Sequence, residues 1–106
     1  MVRIENLKGG KGHVLLEKLI GEDVLAGKCG MFANVVLEQN CSLGYHEHQG
    51  ESETYYILSG KGIYNDNGKE IPVNAGDVLV CTSGNGHGMK NSQKENLRFI
   101  ALIIKG

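Results

Sequence analysis

Three of the four histidines in the chain are spaced so that they could bind a metal ion together. His46 and His48 are separated by a single residue. If this segment is a β-strand, both imidazoles lie on one face, about 6.6 Å apart along the strand, while Glu47 points away. Glu53 follows five residues after His48 and can join the histidines only if residues 49–52 form a turn that begins a new strand. The sequence Gln-Gly-Glu-Ser favours such a turn.

His87 is the fourth candidate ligand, and it lies far along the chain after the glycine-rich segment 83–86. Spacing alone does not show whether its imidazole meets that of His46. The remaining histidine, His13, is interpreted as a solvated turn residue. The convergence of these groups therefore depends on the fold.

Sixteen glycines and one proline predict many tight turns between short strands, which is typical of all-β proteins. The segment Asn-Asp-Asn-Gly at residues 65–68 predicts a tight hairpin. Apolar and β-branched patterns predict strands at residues 31–38, 42–48, 53–59, 70–73, 78–81, 87–90 and 97–104.

The first thirty residues are less regular, because glycines interrupt them at six positions. Residues 13–20 fit either a strand or part of a helix, and we prefer the strand. A short turn or helical piece is expected near residues 23–25.

The residues around these candidates resemble the two signatures of the cupin superfamily. The first signature matches His46-x-His48, then Glu53 and Gly60, and the second matches Gly76, Thr82-x-Gly84, His87 and Asn91. A short hairpin separates them, as in small single-domain bacterial cupins of the conserved-barrel cupin 2 type. Asn40 and Thr82 depart from the usual glycine and proline of the signatures. Both are turn positions, and asparagine tolerates the left-handed backbone that glycine adopts.

The resemblance implies an all-β jelly-roll barrel, also called a double-stranded β-helix. Residues 1–106 would form a single domain, with an N-terminal arm and first strand in 1–30 and the barrel with both motifs in 31–106. Carried over from the family, the metal ligands are His46, His48, Glu53 and His87. Three imidazoles and one carboxylate suit one divalent transition metal, which would be Fe, Mn, Ni, Zn, Co or Cu. Up to two positions of an octahedral site would stay open for water or substrate.

Strand alternation suggests further residues of the pocket. Tyr55 and Ile57 share the face of Glu53, and Met89 shares that of His87. On the last strand either Phe99 and Ala101 or Arg98 and Ile100 face the interior. All of these could equally be ordinary core residues. Tyr55 is the candidate catalytic residue, because its hydroxyl could move protons beside the metal.

The resemblance implies a metal-dependent protein that acts on small molecules. The first hypothesis is an enzyme acting on a sugar, uronate or similar oxygenated metabolite, of the isomerase, epimerase or lyase type, or a metal-dependent oxygenase. The alternative is a non-catalytic, metal-containing binding module for a small metabolite. A storage or structural role has little support at this length.

Composition restricts the partners and the compartment. The formal net charge is -1, the basic residues are scattered and tryptophan is absent, so we expect no nucleic-acid partner. The chain has no apolar run of membrane-spanning length and no apolar secretion signal, so we expect a cytoplasmic protein with no membrane partner. Cys29, Cys41 and Cys81 are interpreted as three buried thiols. Apolar outer faces at residues 14–16 or 97–104 favour a homodimer.

Overall fold

Ten β-strands in two antiparallel sheets make up most of the computed structural model, which describes residues 1–105. Two short helical pieces interrupt the N-terminal part, a 3-10 turn at Leu7–Gly9 and the helix α1 at Glu22–Leu25. The strands are β1 (Val2–Glu5), β2 (His13–Lys18), β3 (Cys29–Leu37), β4 (Cys41–Glu47), β5 (Glu51–Ser59), β6 (Lys61–Asp66), β7 (Lys69–Asn74), β8 (Val78–Cys81), β9 (Gly86–Asn91) and β10 (Leu97–Lys105).

The chain crosses repeatedly between the two sheets. The larger sheet has the order β1-β2-β3-β10-β5-β8, and the smaller has the order β4-β9-β6-β7. From β3 onward, successive strands alternate between the sheets, except that β6 and β7 form a hairpin within the smaller one. This is the topology of a double-stranded β-helix, so the predicted all-β jelly roll is confirmed.

Side chains from both sheets fill one hydrophobic core between them. On β5, Tyr55 and Ile57 are completely buried, whereas the intervening Tyr56 is 47% exposed. On β10, Phe99 and Ala101 face the core, which decides against the alternative register. Burying one large apolar side chain contributes about 1.5–3 kcal/mol. The alternation predicted for β5 is therefore confirmed, and on β10 the structure selects one of the two registers that the sequence left open.

The N-terminal residues contribute two strands where one was predicted. β1 pairs with β2, and β2 pairs with β3, so both extend the larger sheet. The strand interpretation of residues 13–20 is confirmed, and the helical piece lies at the expected place. β1 was missed because it has only four residues, and a single apolar pair, Val2 and Ile4, is too short a pattern to assign. Across residues 1–105, no helix has the length and apolar character needed to cross a membrane.

Two turns that contain left-handed residues were correctly identified. Asn67 and Gly68, with φ of 51° and 95°, join β6 to β7 as the hairpin sequence predicts. Asn40, which stands in place of the usual glycine of the first signature, has a φ of 63°. Asparagine therefore adopts the same backbone conformation that glycine would supply there.

The interpretation of His13 as a solvated turn residue is wrong. His13 begins β2, and its Nε2 donates to Glu38 Oε1 at 2.6 Å. Its Nδ1 lies 3.7 Å from the sulfur of Cys41, which is buried. Of the three cysteines expected to be buried, Cys29 is only partly so, and all three are free thiols.

The prediction of an apolar outer face at residues 14–16, on β2, is wrong. Val14 and Leu16 point into the core and are 0% and 9% exposed. Their alternation is that of an inner face, which the sequence could not assign before the sheet order was known. Exposed apolar side chains instead occur together on the outer face of β5 and β8, at Tyr56, Leu58, Val78 and Val80.

Candidate metal centre

The four predicted ligands come from both sheets. His46 lies on β4 directly opposite His87 on β9. His48 lies one residue beyond the end of β4, and Glu53 lies on β5 in the larger sheet. Three imidazoles from one sheet therefore face a carboxylate from the other across the barrel interior.

A β-bulge turns His46 inward. Leu43 pairs with Met89 and His46 pairs with His87, so Gly44 and Tyr45 together oppose a single residue of β9. Because a bulge adds one residue to its strand, Leu43 and His46 both face the interior although they are three residues apart. Tyr45, between them, is 46% exposed.

Backbone hydrogen bonds join the loop after β4 to the loop before β9. The His48 N–H donates to the Asn85 carbonyl at 3.1 Å, and the Gly84 N–H donates to the His48 carbonyl at 2.7 Å. This pairing fixes His48 beside the segment that leads into His87. It is the long-range contact that spacing alone could not supply.

The side chains converge to within hydrogen-bonding distance. Glu53 Oε1 lies 3.4 Å, 3.0 Å and 2.8 Å from the Nε2 atoms of His46, His48 and His87. The Nε2 atoms of His48 and His87 are 3.1 Å apart. All four candidate ligand atoms lie within 4.8 Å of one another. The structure thus brings together every metal ligand predicted from the sequence.

Two imidazoles are held in the tautomer that metal binding requires. His46 Nδ1 donates to the Gly44 carbonyl at 2.8 Å, and His48 Nδ1 donates to Glu51 Oε1 at 2.8 Å. Since neither acceptor carries a proton, each Nδ1 bears the hydrogen, and a neutral ring then has a lone pair on Nε2. These lone pairs point at an oxygen of Glu53, which has lone pairs of its own.

Such an arrangement is repulsive unless a cation or a proton lies among the four groups. Buried polar atoms require partners, and the Nε2 lone pairs of His46 and His48 meet only the Glu53 oxygen and the His87 ring nitrogen. The donor set of three nitrogens and one oxygen suits a divalent transition metal. The residues present therefore fit a bound metal ion.

Tyrosines support the two most deeply buried ligands. Tyr64 Oη lies 2.8 Å from His87 Nδ1, and the ring of Tyr55 stacks on the His87 ring at 4.7 Å. The Tyr55 hydroxyl donates to Glu53 Oε1 at 3.2 Å. Burial raises the pKa of both tyrosines, so both hydroxyls stay protonated.

Sequence reasoning missed Glu51 and Tyr64, which orient His48 and His87. Glu51 looked like one polar residue of a turn, and Tyr64 looked like an ordinary strand residue. No signal in a single sequence marks either residue, since each contact depends on how strands from different parts of the chain pack. Such partners of metal ligands fix ring orientation and tune affinity.

The environment favours the ligand forms of Glu53 and His87 at neutral pH. Burial by itself would raise the pKa of Glu53, but the three imidazoles around it favour its charged form and lower the pKa to about 2. Burial lowers the pKa of His87, against the opposing effect of Glu53. Glu53 is then an anion and His87 a neutral base, as metal binding requires.

Without metal, acid should destabilise the protein. Both folded-state pKa values lie below the unfolded ones, so the stability contributed by His87 falls as the pH drops below 6.5, and that of Glu53 falls from 4.5 towards about 2. We expect the free energy of unfolding to decrease by about 2 kcal/mol or more between pH 7 and pH 3. Urea denaturation with a chelator present measures this decrease.

Glu53→Gln is the matched variant for this experiment, because glutamine keeps the shape of the side chain and does not titrate. Its stability should depend less on pH than that of the wild type. Parallel pH profiles for the two proteins would contradict the assignment.

A cavity of about 310 Å³ borders His46, His48 and Glu53. Its walls are mostly apolar and include Val14, Leu16, Met31, Leu43, Phe99 and Ile103. Four charged residues also line it, namely Lys8, Lys18, Glu47 and Glu51. Of the pocket residues predicted from alternation, Tyr55, Phe99 and Ala101 line the cavity, whereas Ile57 and Met89 are packed into the core away from it.

The family model of the cupin domain (Cupin_2) matches residues 33–103. The chain therefore belongs to the cupin family. A curated relative, an oxalate-binding protein of Thermotoga maritima, is 43% identical over 102 residues, which cover 96% of this chain and 84% of that protein.

Solved structures agree with this assignment. A crystal structure from Thermotoga maritima, described as a predicted oxalate decarboxylase, has a TM-score of 0.96 and 42% identity, and the match covers 99% of this chain and 91% of that one. The Cupin_2 domain of an XRE family transcriptional regulator from Enterobacter cloacae has a TM-score of 0.76 at 16% identity, covering 88% of this chain and 97% of that one. The second likeness concerns the fold alone.

Proposed function

We propose that this cupin binds a divalent transition metal and, through it, oxalate or a closely related chelating carboxylate. The observation that carries the proposal is the convergence of three imidazole nitrogens and one carboxylate oxygen beside an apolar cavity. The metal would supply positive charge and open coordination positions for ligand oxygens. The name of the 43% identical relative supports oxalate as the ligand class.

The protein's own residues divide the remaining work. His46, His48, Glu53 and His87 hold the ion, and Glu51 keeps the His48 ring oriented. The apolar walls exclude water, which strengthens the attraction between the centre and an anion. A ligand with two adjacent oxygens suits this site because both oxygens could occupy open coordination positions of the metal together.

A sugar or uronate fits this cavity less well. Its hydroxyl groups point in several directions, and buried hydroxyls need hydrogen-bond partners. The cavity walls are mostly apolar, and the Tyr55 hydroxyl already donates to Glu53. We therefore prefer a chelating carboxylate as the ligand to the sugar or uronate expected from the sequence.

Catalytic turnover is the second candidate, and the carboxylates of Glu47 and Glu51 favour it. Both line the cavity beside the centre, where a carboxyl group could transfer a proton. Decarboxylation of monoprotonated oxalate to formate and carbon dioxide needs only a relocated proton and no net oxidant. For Tyr55 we propose positioning of Glu53 in place of the catalytic role predicted from the sequence, because its hydroxyl is buried against that carboxylate.

Calorimetric titration of oxalate into metal-loaded and metal-free protein tests the proposal. We expect binding at one site per chain when metal is present and at least about 100-fold weaker binding after chelation, because the metal supplies most of the attraction. Equal affinity in the two preparations, or no binding to the loaded protein, would overturn the proposal. Nuclear magnetic resonance of ¹³C-oxalate incubated with loaded protein distinguishes binding from turnover, since formate appears only with turnover.

We also propose that residues 1–106 form one cupin domain that works as a homodimer in the cytoplasm. The exposed apolar residues of β5 and β8 form a surface that a second copy could cover. The three free thiols agree with a reducing compartment.

A further inference from the structure

We propose that Lys8 and Lys18 select doubly charged ligands for the metal centre. This inference rests on the proposed function. It adds the ligand charge that the site prefers and the two residues that determine this preference. Both lysines line the same cavity as His46, His48 and Glu53. Among the ion pairs formed by residues 1–105, none involves either lysine.

The charge balance of the cavity requires these lysines if an anion is to enter. Glu47 and Glu51 line the cavity together with Glu53, so the carboxylates carry three negative charges. A divalent ion offsets only two of them, and the cavity would repel an anion even with metal bound. The two lysines reverse the sign and leave a small excess of positive charge.

Lys18 is the exposed last residue of β2, and in the alternation of the strand it falls on the inner face. Val14 and Leu16 precede it on the same face and are buried in the core. Lys18 pairs with Ala33, which also faces the core. The alternation of the strand therefore places a lysine where the next apolar side chain would stand, and directs it along the wall of the cavity.

Lys8 is placed by a close backbone contact between the N-terminal segment and β4. A Cβ atom on Gly44 would overlap with the Lys8 carbonyl oxygen, and one on Gly10 would overlap with the Ser42 carbonyl oxygen. The two glycines thus allow the backbones to touch where β4 leads into His46. The contact fixes Lys8 next to the strand that carries a metal ligand.

The backbone of Lys8 is also in an unfavourable conformation for a residue with a side chain. Its φ is 56° and its ψ is 30°, in the left-handed region. Glycine would adopt this conformation without strain, whereas other residues pay about 1 kcal/mol or more. The contact with β4 holds Lys8 in this conformation at the wall of the ligand cavity.

The test compares the charge dependence of ligand binding in three variants of the metal-loaded protein. Lys8→Gln and Lys18→Gln each remove one charge from the cavity. Lys11→Gln removes the same charge from an exposed residue that does not line it. Each variant is titrated with oxalate, a dianion, and with glycolate, a monoanion that also offers two adjacent oxygens.

We expect Lys8→Gln and Lys18→Gln each to weaken oxalate binding about fivefold to tenfold at low ionic strength, and to weaken glycolate binding about twofold to threefold. The effect on oxalate is larger because Coulomb energy doubles with ligand charge. Lys11→Gln should change either affinity by less than about twofold. Metal content should remain stoichiometric in all three variants, and metal affinity should not fall, because removing a positive charge does not weaken cation binding.

The outcomes separate this inference from the proposed function. If wild-type protein with metal binds neither ligand, the proposed function fails. If the wild type binds oxalate and Lys8→Gln and Lys18→Gln bind it equally well, the selection by lysines is wrong and the metal-dependent binding stands. Equal losses of affinity for oxalate and glycolate would also overturn the inference, because they would mean that the substitutions change the shape of the cavity and do not act through its charge.

Discussion

Replacing His48 with alanine is expected to lower the affinity for a divalent transition metal by at least about 100-fold. The substitution removes one of four ligands and leaves the Glu51 carboxylate without its hydrogen-bond partner. Loss of a mere supporting partner of a ligand typically costs 10-fold to 100-fold in metal affinity, so loss of the ligand itself should cost more. Elemental analysis of purified protein and calorimetric titration with Mn²⁺ and Zn²⁺ measure the effect.

The chain contains its own controls for this substitution. His13→Ala removes the one histidine outside the centre and should leave metal affinity unchanged. Glu51→Gln keeps all four ligands and weakens only the support of His48, so it should fall between the wild type and His48→Ala. Stoichiometric metal in His48→Ala at wild-type affinity would refute the assignment of the centre.

Removing the metal from the wild-type protein should lower its melting temperature by about 15 °C. A ligand present at about 1,000 times its dissociation constant stabilises the folded state by about 4 kcal/mol, and 1 kcal/mol shifts the melting temperature of a domain this size by about 4 °C or more. The lone pairs that face one another in the metal-free centre add repulsion that the ion relieves. Thermal unfolding with saturating metal and with a chelator gives the difference.

His48→Ala provides the comparison here as well, since it should show little difference between the two conditions. A chelator effect of equal size in His48→Ala and wild type would mean that the ion stabilises the protein elsewhere. The metal that gives the largest shift under anaerobic conditions is the best candidate for the native ion.

Much of the barrel could be predicted from the sequence, because its determinants are local. The Asn67-Gly68 hairpin depends on residues that adopt positive φ easily, and the inner faces of β5 and β10 follow from simple alternation. The ligand set was predicted through the resemblance to cupins, and the structure brings its four members together. Its occupation by metal and the catalytic role of Tyr55 stay predictions.

Features that depend on long-range packing could not be predicted. The sequence does not show that β1 pairs with β2, because four mostly exposed residues give too short a pattern to identify a strand or its partner. His13 looked like a turn residue, since the partner that accepts its hydrogen bond, Glu38, is twenty-five residues away. The sequence also does not show which side chains of β4 face the interior, because the bulge before His46 is visible only in the pairing of β4 with β9.

The bulge in β4 makes the metal centre dependent on chain length as well as on residue identity. One extra residue separates the upper and lower halves of the strand, so the half that carries His46 has its own register. A homologue that deleted this single residue could keep both signatures and its core while rotating one imidazole towards solvent. A one-codon deletion in β4 is therefore expected to abolish the centre while every ligand residue is still present in the gene.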